Sequence, residues 1–242
     1  MTKTGSSIRW GAICAIAAGI CFLAPLAFYF YFLPAAGSSA THAADPASFL
    51  PWMADHGSVR VALWWATGLA FLIALLGIPR ALRELLEADN PTTARTAELA
   101  GILGNFTVVL AILMLAAGEL PLARAYVEAG AEARPAIVAT YEWQRLVTAY
   151  LFDVFGFFML GVWILASSAA GLRSRRLPRG LGWFGVVTGV LDACFAIGFV
   201  TRLSWLGESG IGMLSLLAMP VWMIWLGIVL WRAGRPETGQ VR

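Results

Sequence analysis

The chain has 242 residues, of which 60% are hydrophobic and only 13% charged, with a mean hydropathy of +0.76. A water-soluble domain carries about 25% charged residues, so the composition excludes an ordinary soluble fold and points to a lipid-embedded one. The net charge of +3 comes with basic residues clustered in short loops rather than in one aromatic-interleaved patch, which speaks against nucleic acid as a partner and leaves the lipid bilayer.

The first apolar run covers residues 10–33, long enough to cross a hydrocarbon core of about 30 Å and too long for the h-region of a signal peptide, so it reads as a retained span. Residues 34–58, rich in Pro, Ala, Gly, Ser, Asp and His, read as an extramembrane loop with one short interfacial turn. A second span, 59–78, starts beside Trp64 and Trp65 and is expected to stop at Pro79-Arg80. A surface segment with Asn90-Pro91 as its turn signal then leads to the third span, 99–118. In that span Asn105 is a candidate for a cross-helix hydrogen bond. Residues 119–141, with Glu119, Arg124, Glu128, Glu132 and Arg134, read as a solvated loop or helix rather than a site.

The fourth span, 146–170, and the fifth, 181–200, flank the sequence GLRSRRLPRGLGW, and the sixth is 211–231. Twelve of the seventeen basic residues fall at the two ends and in the second and fourth loops. The positive-inside rule therefore predicts an all-α membrane protein of one domain, six transmembrane helices and both termini in the cytoplasm.

Two acids lie within these spans, Asp153 in the fourth and Asp192 in the fifth. A charge at mid-bilayer costs at least about 2.5–3.5 kcal/mol, so each needs a partner or a proton. Helical spacing places Ala149, Asp153 and Gly156 on one face, continued outward by Glu142 and Arg145. Gly182, Gly185, Gly189, Asp192 and Ala196 follow at intervals of three and four, a small-residue stripe suited to close helix contact. Counting inward from Ser167 and Pro178 gives both acids the same depth, about 21 Å, so the two carboxyls are expected to be able to meet. The competing expectation is that each aspartate separately serves packing.

The run SSAAGLRSRRLPRGLGWFGVVTGV and the later GMLSLLAMPVWMIWLGIVLWR resemble an uncharacterised bacterial family of six-helix integral membrane proteins, a domain of unknown function, mainly over residues 146–232. The resemblance implies a fold and the inner membrane of a bacterium, and brings no catalytic residue. Two functional readings stand beside it. The first is a non-enzymatic protein, an accessory subunit with protein partners or a homo-oligomer, or a permease-like pathway for protons or small molecules around Asp153 and Asp192. The second is an intramembrane hydrolase with the two aspartates as acid and base. Phe152-Asp153 and Gly189-Val190-Leu191-Asp192 are similar to the Tyr-Asp and Gly-x-Gly-Asp motifs of intramembrane aspartyl proteases. They depart from them at Phe152 and Leu191, and the chain has no Pro-Ala-Leu and too few spans for that family.

No cofactor or metal is expected. Cys14, Cys21 and Cys194 form no ligand spacing, and His42 and His56 both lie in the predicted first loop, outside every span. That removes zinc hydrolysis and Ser/His chemistry in the membrane.

Overall fold

The computed structural model describes residues 3–35, 37, 45–201 and 211–234, all-helical apart from turns and with six helices long and apolar enough to cross a membrane. Helix α1 spans Lys3–Ala27, continues as a widened π turn at Phe28–Phe32 just after Pro25, and ends in Leu33–Ala35. Helices α2 (Pro46–Leu86), α3 (Pro91–Glu128) and α4 (Arg134–Arg173) are the long ones, with 41, 38 and 40 residues. Helix α5 is Arg179–Thr201 and α6 is Ile211–Ala233. His42, Arg202, Arg235 and Arg242 lie outside the described residues.

Each helix packs on its neighbours in the chain, and α6 returns to α1, so the six close into a ring. Small residues let the backbones meet: Gly19 lies against Pro220 and Ile224, Gly227 against Ala12 and Ile16, and Gly11 against Gly77 and Ala81. In a bilayer, where lipid is as apolar as leucine, such close contact supplies much of the association energy. Phe22, Phe71 and Phe152 meet edge to face in succession, Phe152 lies tilted on Phe157, and Trp163 of α4 meets Trp222 of α6 at 5.6 Å between ring centroids. The outer faces present Leu69, Leu72, Leu76, Phe106, Trp183, Val187 and Ile197 to lipid.

The first turns of α1 and the last turn of α6 lie together at one end of the bundle, which is rich in arginine. There Arg9 donates to the Gly234 carbonyl at 2.8 Å, Ser7 bonds Glu84, and Arg83 bridges Glu87 and Glu98. Arg176 of the α4–α5 loop pairs with Asp89 at 2.8 Å. Hydrogen bonds from Arg83 and then Arg95 hold the Glu87 carboxyl below its ordinary range.

Three boundaries differ from the sequence reading. Residues 46–58 are helix and not loop: the Asp45 side chain accepts from the Ala47 amide at 3.1 Å, Pro46 occupies the first turn where no donor is lost, and Pro51 is absorbed one turn later. The helix also passes through Pro79 to Leu86, held by the packing of Gly77, Ile78 and Ala81 on α1 and by a bond from Trp10 Nε1 to the Leu76 carbonyl at 3.3 Å. Residues 119–128 extend α3, and the fourth span begins as far back as Arg134.

A 40-residue helix measures about 60 Å, twice the hydrocarbon thickness. The excess of α2, α3 and α4 lies at the end opposite the arginines, where the three form a head with its own core of Phe49, Leu50, Met53, Ala123 and Tyr141.

Candidate functional site

Asp192 is the most deeply placed charged side chain of the membrane-spanning part, with 0% of its surface exposed. It reaches that position because α5 turns Gly182, Gly185, Gly189, Asp192 and Ala196 inward, while Trp183, Val187, Val190 and Ile197 face out. Across from it on α4 stands Gly161. A Cβ on Gly161 would sit 2.7 Å from the Gly189 carbonyl and 3.2 Å from the Asp192 Cβ, and one on Gly189 would sit 2.7 Å from the Gly161 carbonyl. The two glycines therefore set the distance between the helices. The Asp192 Oδ1 accepts a hydrogen bond from the hydroxyl of Ser215 on α6. Its Oδ2 has no partner among the described residues, and no basic side chain there pairs with it.

Asp153 is placed differently. It sits in the π turn Tyr150–Gly156 that interrupts α4, half-buried, and it has an interaction of its own, as does Arg145. The α4–α5 register that sets Gly185 beside Ser168 and Asp192 beside Gly161 sets Asp153 near the level of Val200. From Asp153 to Gly161 is eight residues, about 12 Å along the helix. The two aspartates are thus at different depths and do not form a pair. The depth estimate failed because α4 ends at Arg173 and not at Ser167, which moves Asp153 farther from the arginine-rich end.

Glu142 and Arg145 are exposed on the head. Ala149 is half-buried next to the π turn, and Gly156 packs against Val108 of α3. Gly182 packs against Leu172 near the arginine-rich end. Asn105 is fully buried, but its Nδ2 donates to the Gly101 carbonyl of its own helix at 2.7 Å rather than across to a neighbour. Beside the π turn an open apolar groove runs between Val154 and Phe158 on α4 and Ala196, Ile197, Val200 and Thr201 on α5. Among the described residues no three Cys, His, Asp or Glu side chains gather as metal ligands do.

A second polar centre, missed in the sequence, holds the head together. Glu119 of α3 is 3% exposed in its side chain and accepts from Arg60 Nε at 2.8 Å, Arg60 Nη2 at 3.2 Å and Trp64 Nε1 at 2.7 Å. The Arg60 guanidinium lies 4.9 Å from the Phe49 ring centre and 5.1 Å from that of Trp64. Phe49 in turn stacks on Tyr141 of α4 at 5.6 Å. The signal that Glu119 was internal lay in Trp64 and Arg60, which sit one turn apart on α2.

The fold is that of a multi-pass helical membrane protein. The chain belongs to the family described as Domain of unknown function (DUF4386), whose family model matches residues 10–234. The match reaches well beyond residues 146–232 and takes in the first helix. No curated protein and no solved structure matches the chain.

Proposed function

We propose that the protein is a non-enzymatic, multi-pass protein of a bacterial inner membrane, with both termini in the cytoplasm, whose working group is the Asp192 carboxyl: a permease-like pathway for protons. The observation that carries the reading is a fully buried carboxyl in a membrane bundle with a single hydroxyl donor, one unpartnered oxygen and no cation beside it among the described residues. An uncompensated charge there costs several kcal/mol, so the resting form is the neutral acid, and any ionised form is transient. A group that gains and loses a proton inside a membrane is a relay.

The geometry gives no support to a hydrolase, whose two carboxylates must share one water or one proton at contact distance. An accessory-subunit reading has one observation in its favour: the head carries the exposed apolar side chains of Val127 and Trp143. Partner proteins or a second copy would dock there.

Difference infrared spectroscopy tests the main reading. Wild-type protein in lipid at neutral pH is expected to show a buried carboxylic-acid band that disappears in Asp192→Asn and persists in Asp153→Asn. No such band in the wild type, or its loss only in the Asp153 variant, refutes it.

A further inference from the structure

Asp192 does not stand alone. Six buried side-chain atoms lack a hydrogen-bond partner among the described residues: Asn105 Oδ1, Trp163 Nε1, Ser167 Oγ, Ser168 Oγ, Asp192 Oδ2 and Trp222 Nε1. Buried polar atoms are normally satisfied, so six in one bundle interior require a reason. The hydroxyls of Thr67, Thr107, Thr148 and Thr188 each return to the carbonyl one turn back in their own helix. Ser167 and Ser168 make no such bond among the described residues, although helix geometry offers it to them equally.

Ser168 is turned toward Gly185. A Cβ built on Gly185 would collide with Ser168 Oγ and lie 2.5 Å from Trp222 Nε1. Three helices thus bring a hydroxyl and an indole N–H onto the one glycine that has no side chain to cover them, both buried and both without a hydrogen-bond partner among the described residues, which is the circumstance in which a bridging water serves. Trp222 meets Trp163 edge-on, and the pyrrole side of Trp163 lies on Gly101, whose carbonyl is bonded to Asn105.

The same two helices carry the proton site. Gly185 and Asp192 are seven residues apart on α5, and Ser215 and Trp222 are seven apart on α6, so the two levels are about 10 Å apart. Ser168 in turn is five residues from Arg173, about 8 Å from the arginine-rich end. The polar pair therefore stands between Asp192 and that end.

We propose that Ser168 and Trp222 beside Gly185 form a water-binding station that relays protons between Asp192 and the arginine-rich face. The inference rests on the reading of Asp192 as a proton site. The indole N–H can only donate, while the serine hydroxyl donates and accepts, so together they hold a water oxygen and leave its protons free to point along the seam. Inward transfer takes a proton from hydronium to the Asp192 carboxylate, forming one O–H bond, breaking another and leaving water. Outward transfer reverses it. Bridging about 10 Å takes roughly three waters in file at hydrogen-bond spacing, and because Gly189 on Gly161 closes the α4 side between the two levels, the file runs on the α6 side, from Trp222 to Ser215. Among the described residues, the charged groups on the elements around this seam stand away from it along the helices: Asp153 lies two turns toward the head on α4, and Arg173, Arg179 and Arg232 lie at the ends of α4, α5 and α6.

Time-resolved infrared spectroscopy on protein oriented in proteoliposomes, with a pH jump applied to one face at a time, tests the route. Trp222→Phe and Ser168→Ala are each expected to slow the Asp192 carboxyl response at least tenfold for a jump on the arginine-rich face, and to leave the response to a jump on the head face unchanged. Wild-type rates from the arginine-rich face, or equal slowing from both faces, overturn the station. Should Trp222→Phe not fold, Ser168→Ala decides alone, since it removes one oxygen and adds no bulk. Absence of the wild-type carboxyl band overturns the Asp192 reading itself, and the station with it.

Discussion

The buried pair in the head offers the sharpest test of how the three long helices hold together. Glu119→Gln keeps the shape of the side chain and removes its charge. Arg60 then keeps its place between Phe49 and Trp64 with no counter-charge, and the Gln amide presents two donors to a site furnished with donors. Breaking a buried ion pair from one side costs about 3–5 kcal/mol. The Arg60 side chain is 17% exposed, so part of its charge reaches water and the lower end, about 3 kcal/mol, is the working figure.

If the head opens as one unit, that loss raises its open population by about a hundredfold. Hydrogen–deuterium exchange in detergent is the assay, read on peptides covering residues 46–58, 119–128 and 134–145. All three are expected to exchange faster together, while peptides of α5 and α6 keep their rates. The double variant Arg60→Met, Glu119→Leu replaces the pair with apolar groups of comparable bulk and is expected to regain most of the protection, since such replacements are often neutral or better. Wild-type exchange in Glu119→Gln, or a double variant more labile than the single, refutes the reasoning.

Gly189→Leu is expected to destabilise the bundle in detergent by about 1–3 kcal/mol, because a side chain there meets the Gly161 carbonyl and the Leu165 amide, main-chain atoms that cannot turn aside. Unchanged thermal stability would mean that this face of α5 does not pack on α4. In a background lacking Cys14, Cys21 and Cys194, Ser174→Cys is expected to be silent and Glu128→Cys to react with an impermeant thiol reagent applied outside intact cells. Reaction at residue 174 would reverse the proposed orientation.

The spans were legible because the hydrocarbon core demands about 20 apolar residues in a row and little else in a chain looks like that. The inward stripe of α5 was legible for the same kind of reason, a period of three and four written in glycine. The head was not. Its helical segments are short and polar on one side, those of α2 and α4 beginning at Pro46 and Arg134, so nothing local distinguishes them from interfacial loops; contacts between residues far apart in the chain, Phe49 with Tyr141 and Arg60 with Glu119, make them a folded unit. Depth failed similarly: Asp192 is thirteen residues from the start of α5 at Arg179, but Asp153 is twenty from the end of α4 at Arg173. A six-residue change in a helix end is about 9 Å, enough to separate two carboxyls that counting had matched.

Glycine stripes alone are accounted for by packing, since close backbones are how membrane helices gain dispersion energy. Asp192 is not accounted for that way. Gly161 and Gly189 bring α4 and α5 together around it, and an alanine at 192 would keep that contact without asking lipid-embedded helices to house a carboxyl. The bond from Ser215 returns only part of the desolvation cost, because the second oxygen has no partner among the described residues. The same holds for Ser168 and Trp222, where Ala and Phe would fill the seam at lower cost. Polar groups that weaken a bundle at successive levels of one seam are best understood by what passes between them, which is why the decisive measurement is a rate from a chosen face and not a stability.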